Sequence, residues 1–142
     1  MDRLYALRRP LDGLDSQLIH GDLNPGNILI ARGLPPAFLD IAPFWRTAEF
    51  ALAMFANWIG PRQGDASVLR HFSQVRHFDQ LLIRAGIRML LIMTELAERN
   101  PDLFQHELDK FETSSEAQAV QIILEHLSGN SPTRTARHEP TG

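Results

Sequence analysis

The 142-residue chain contains no cysteine. Disulfides, thiol nucleophiles and cysteine-ligated zinc are thereby excluded, and the composition fits a reducing compartment. Lysine is nearly missing as well, Lys110 being the single example. No stretch reaches the roughly 18 apolar residues that a membrane-spanning helix needs. The two best candidates, residues 48–59 and 87–93, read as buried helices. The opening Met1-Asp-Arg-Leu-Tyr5 brings an acid at once and lacks the apolar run of a secretory signal. Charge of neither sign dominates, with 14 Lys and Arg against 17 Asp and Glu. That balance gives no general attraction to nucleic acid or to an anionic membrane. The expectation is a cytoplasmic protein with neither kind of partner.

What is present is ordinary globular material, 44% hydrophobic and 22% charged, enough for one core. Residues 1–128 read as a single domain. From residue 129 onward Ser, Pro, Thr, Arg and Gly dominate, the pattern of a disordered tail.

The fold class expected is mainly α with a small β-hairpin. Leu4, Leu7 and Leu11 have helical spacing, interrupted by Pro10 and Gly13, and Gln17-Leu-Ile19 offers a short extended run. Residues 20–27 are rich in turn formers and read as a loop. Residues 28–30 and 37–39 are apolar and separated by Gly33, Pro35 and Pro36, the pattern of a small hairpin with a long connection. Beyond Pro43 the pattern turns helical, and residues 48–59 are apolar nearly all round. Gly60-Pro61 stops that helix, and Asp65 is placed to cap the next. Apolar residues at three-to-four spacing then run from Leu69 to Leu96, as one long helix or as two joined at Gly86. A short helix is expected over residues 103–111. Another, capped by Ser114 or Ser115, uses Ala119, Ile122, Ile123 and Leu127 as its apolar face.

The chemistry concentrates in His20-Gly-Asp22-Leu-Asn-Pro-Gly-Asn27, followed by Asp40 at the end of a short apolar run. Phosphoryl transfer from a nucleotide needs a carboxylate to orient an acceptor hydroxyl and take its proton. It also needs hard oxygen ligands that hold Mg²⁺ against the phosphates. Asp22 can serve the first need, Asn27 and Asp40 the second, provided that the hairpin returns Asp40 beside the loop. His20 then holds the loop by bonding backbone. A transition-metal site from His20, Asp22 and Asp40 is the competing reading, although no second histidine lies at ligand spacing.

At Leu18-Ile-His-Gly-Asp-Leu-Asn-Pro-Gly-Asn-Ile-Leu29 the sequence resembles the catalytic loop of the aminoglycoside phosphotransferase and choline kinase group, which has the protein-kinase-like fold. Phe38-Leu-Asp40 resembles the strand that ends in that group's metal-binding aspartate. The resemblance implies a kinase-like C-terminal lobe with Asp22 as catalytic base, Asn27 and Asp40 as Mg²⁺ and nucleotide ligands, and His20 as a structural residue. It implies ATP and Mg²⁺ as cofactors and a hydroxyl on a small molecule as acceptor. Glu49-Phe-Ala-Leu-Ala53 is similar to the helix start whose acid buttresses the loop in the family, which makes Glu49 structural. The residues after Asp40, Ile41 and Ala42, stand where protein kinases have Phe-Gly, so the resemblance leaves the acceptor open.

The same resemblance calls for an N-terminal lobe with a glycine-rich loop and a phosphate-binding lysine. Nineteen residues precede His20, and none is lysine. The chain therefore reads as a C-lobe lacking its N-lobe. On its own it is expected to be incomplete and inactive, with an N-lobe or partner chain acting in trans. The alternative is a non-catalytic, pseudokinase-like scaffold with apolar surface exposed near residues 2–19 and on the hairpin. Elsewhere, Arg70, Arg76, Arg84 and Arg88 read as a solvated helix face rather than an anion site, and Phe50, Phe55 and Trp58 as core. Trp45 is balanced between core and substrate pocket.

Overall fold

The computed structural model describes residues 2–101 and 115–129. It is mainly helical, with a small antiparallel β component. The helices are α1 (Asp2–Ala6), α2 (Ala48–Ile59), α3 (Phe78–Arg99) and α4 (Ser115–Gly129). The strands are β1 (Gln17–His20), β2 (Ile28–Leu29), β3 (Ala37–Phe38) and β4 (Pro43–Arg46).

The strands form two nested pairs. The inner one, β2 with β3, is the expected hairpin, with Ile28 opposite Phe38 and Leu29 opposite Ala37. The outer one was not expected. Residues 43–46 are a strand paired with β1, so the helical pattern begins at Ala48 and not directly after Pro43. Four residues are too short for a period-two pattern to stand out. The alternation is nevertheless present: Ile19 and Phe44 are partners packed toward the core, while Leu18 and Trp45 are partners facing outward.

The core lies between α2 and α3, which share the most extensive contact in the structure. Phe50, Ala53, Met54 and Ala56 of α2 join Phe78, Leu81, Leu82, Ala85, Ile87 and Leu90 of α3 in one buried cluster. Leu4 fastens α1 to it, and Ile123 and Leu124 fasten α4. Each fully buried leucine or isoleucine contributes about 1.5–3 kcal/mol of transfer free energy. Of the two alternatives at Gly86, the continuous helix is the one present, for α3 runs straight through it. A Cβ there would come within 3.1 Å of Ile123 and 3.4 Å of Leu4, so this glycine serves close packing of three helices. The chain breaks earlier. Residues 66–72 form a 3-10 helix whose cap is Asp65, its carboxylate accepting from the Ser67 N–H at 2.8 Å. Hydrogen bonding to the ionised form holds the Asp65 carboxyl below its ordinary value. His77, with φ 56°, then redirects the backbone into α3.

Among the described residues no helix is long and apolar enough to cross a membrane. The expected helix over residues 103–111 and the cap at Ser114 lie outside the described residues, as does the tail expected from residue 129 except for Gly129 itself, which ends α4.

Candidate functional site

The loop between β1 and β2 is built from backbone upward. Asn24 accepts from the Gly26 N–H at 2.9 Å and so opens the 3-10 turn Pro25–Asn27, in which proline suits the first position. Asn27 closes the turn and sends its side-chain N–H back to the Asp22 carbonyl at 2.9 Å and to Asp22 Oδ2 at 3.2 Å. Asn24 donates to the same carbonyl at 3.2 Å. The Asp22 carboxylate is thereby half-buried and oriented, with Oδ1 unengaged among the described residues.

His20 ties this loop to the hairpin. Its Nδ1 accepts from the Asp22 N–H at 3.2 Å, and a backbone N–H can only donate. The ring proton therefore sits on Nε2, which donates to the Leu39 carbonyl at 2.9 Å. The Leu39 N–H in turn reaches the Asn27 carbonyl at 2.9 Å. Leu39 is thus held from both sides, and Asp40, the next residue, follows at φ 48°, a left-handed conformation that aspartate tolerates better than most. Hydrogen bonds thus link residues 20, 22, 27 and 39, and Asp40 follows directly in the chain.

Gly21 is required by close approach. Its N–H donates to the Ala42 carbonyl, and a Cβ would lie 2.7 Å from that oxygen and 2.9 Å from Phe44 Cβ. The Gly21 carbonyl accepts from Arg88 of α3 at 3.2 Å.

The donor set suits a hard cation. Asn27 Oδ1 and the exposed Asp40 carboxylate make no hydrogen bond or ion pair among the described residues, while the Asn27 amide nitrogen is turned inward. Both are oxygen ligands of the kind that Mg²⁺ takes. A transition-metal site on His20, Asp22 and Asp40 fits poorly, since both imidazole nitrogens are committed to backbone. No group of three or more His, Cys, Asp or Glu is gathered for a metal among the described residues. Glu49 is half-buried in the first turn of α2, and no hydrogen bond or ion pair joins it to the loop among the described residues.

Two of the arginines read as a solvated face are only partly solvated. Arg84 is half-buried and donates to the Arg9 carbonyl at 2.6 Å and the Gln80 carbonyl at 2.7 Å. Arg88 is likewise half-buried, at the Gly21 carbonyl and 4.7 Å from the centre of the Phe44 ring. The signal in the sequence was their spacing of four, which places both on one helix face. Arg76 is exposed and donates to the Gly13 carbonyl at 2.6 Å. Of the aromatic residues, Phe50 is buried, Trp58 carries Arg62 against its ring at 3.7 Å, and Trp45 is exposed.

Compared with family models, curated proteins and solved structures, the chain finds no match.

Proposed function

We propose that this chain is the helical lobe of a kinase-like phosphotransferase, acting on a hydroxyl of a small molecule with ATP and Mg²⁺. The observation that supports the reading is the bonded set His20–Asp22–Asn27–Leu39, which orients the Asp22 carboxylate and ties the residue preceding Asp40 to the same loop. Asp22, held through Oδ2 by Asn27, takes the proton of the acceptor hydroxyl as that oxygen bonds to the γ-phosphorus and the bond to ADP breaks. Asn27 Oδ1 and Asp40 are the groups that would hold the cation. Bound Mg²⁺ neutralises charge on the phosphates. His20 fixes the loop by its neutral tautomer and takes no part in proton transfer.

No lysine lies near this loop in the sequence, and no glycine-rich phosphate cradle is present in the 142 residues. The nucleotide half of the site is supplied by residues outside these 142, and the 142 residues alone are inactive. Titration calorimetry with Mg·ATP, using Asp40→Ala as control, tests this. Binding no tighter than about millimolar is expected. Micromolar binding that is lost in Asp40→Ala overturns the incomplete-site reading. Amide resonances of Asn27 and Asp40 that ignore millimolar Mg²⁺ overturn the cation-holding one.

A second reading, a non-catalytic scaffold, is favoured by one observation. Leu18, Ile30, Leu34, Ile41 and Trp45 are each more than 60% exposed on the nested strands and their connections, an apolar area of the kind that partners cover.

A further inference from the structure

A groove of about 510 Å³ opens between α1, β4, the start of α2 and one face of α3. It holds none of Asp22, Asn27 or Asp40, and Arg88 on its lining also reaches the Gly21 carbonyl of the loop. Its volume falls within the roughly 300–1,000 Å³ of small-molecule sites. Phe44, Phe50, Leu81, Ile87 and Leu91 give it an apolar floor and wall.

The polar groups on that lining are one-sided. Arg8, Arg46, Arg84 and Arg88 all border the groove, and none forms an ion pair among the described residues. The acid on the rim, Glu95, is engaged by Arg99 at 2.6 Å. Arg46 and Arg88 lie 4.3 Å and 4.7 Å from the centre of the same Phe44 ring. Partial burial and the charge of Arg8 both weaken the hold of Arg84 on its proton. Thr47 also borders the groove, but its hydroxyl is covered and has no hydrogen-bond partner among the described residues.

We infer that this groove binds a small organic acid, its carboxylate held by the guanidinium of Arg46, which forms no ion pair among the described residues, its apolar body along Phe44, Ile87 and Leu91. Guanidinium groups suit a carboxylate by charge and by paired N–H donors. The apolar lining rejects inorganic anions that have nothing to bury.

Calorimetric titration of the full chain with phenylbutyrate, and with neutral phenylbutanamide of the same shape, tests the assignment. The acid is expected to bind at least about tenfold more tightly than the amide. Arg46→Gln removes an exposed guanidinium whose one hydrogen bond among the described residues is to its own neighbour's carbonyl, Trp45, so the fold is retained. It is expected to weaken the acid about tenfold and leave the amide unchanged. Leu91→Glu, at a half-exposed position, is expected to abolish binding of the acid. Equal binding of acid and amide overturns the inference, as does binding of the acid that ignores both substitutions. No binding of the acid to folded protein, or capture of an acidic amphipathic peptide in its place, overturns it equally.

Discussion

The imidazole of His20 donates from Nε2 to the carbonyl of Leu39, 2.9 Å away and nineteen residues on in sequence. That bond is the clasp between the loop that carries Asp22 and the strand that delivers Asp40. Because the Asp22 N–H occupies the other ring nitrogen, the imidazole spans loop and hairpin in one tautomer.

His20→Ala removes both bonds at once. A loss of about 1–3 kcal/mol in stability is expected, from two hydrogen bonds at roughly 0.5–1.5 kcal/mol each. Urea unfolding measures it. A loss confined to a few tenths of a kcal/mol would show that the clasp does not hold the loop.

Gly21→Ala and Gly33→Ala separate two reasons for glycine. At Gly21 a Cβ would strike the Ala42 oxygen at 2.7 Å, and two strands must move apart, at about 1–3 kcal/mol. At Gly33 nothing lies within 4 Å, and the cost is the left-handed backbone alone, φ 79°, about 1–2 kcal/mol. Amide shifts should move throughout β1 and β4 in the first variant and stay local in the second. Local shifts in both would show that Gly21 is not sterically required.

Asp65 sets an acid-side dependence. Its folded-state pKa lies below the ordinary carboxylate value, first through the side-chain hydrogen bond with Ser67. The stability it adds is therefore present above the unfolded-state value, about 3.9, and is lost as pH falls through the lower folded-state one. Asp65→Ala should lower Tm at neutral pH and flatten the decline of Tm below about pH 4. An acid limb parallel to that of the parent chain would remove Asp65 from the account.

Leu18 and Trp45 face each other on the outer side of β1–β4, each more than 60% exposed. Trp45→Lys is expected to change stability by no more than about 0.5 kcal/mol while reducing self-association, as light scattering at rising protein concentration reports. A fall in Tm of many degrees would show that Trp45 is packed in the folded chain.

The hairpin of β2 and β3 was legible because each strand is an apolar run bounded by glycine and proline. The loop was legible because asparagine, proline and glycine have few other conformations open to them there. The pairing of β1 with β4 was not. Four residues carry little periodicity, and the partner strand lies some two dozen positions away. Nor was the break before α3, since apolar spacing continues through the 3-10 helix and local pattern does not register where the axis turns. Glu49 has the position of a buttress and makes no bond to the loop among the described residues, because position on a helix does not decide where a carboxylate finds a partner.

By itself the sequence determined the mainly helical class, the stop at Gly60, the cap at Asp65 and the candidate residues His20, Asp22, Asn27 and Asp40. All of these rest on local stereochemistry or on residue type. Tertiary structure alone decided that Leu39 bridges Asn27 and His20, that Gly21 lies against Ala42, and that Arg84 and Arg88 turn partly from the solvated face to backbone carbonyls and a groove. Those are contacts across tens of residues. They depend on how α2, α3 and the nested strands pack, and packing is a property of the assembled core rather than of any one segment.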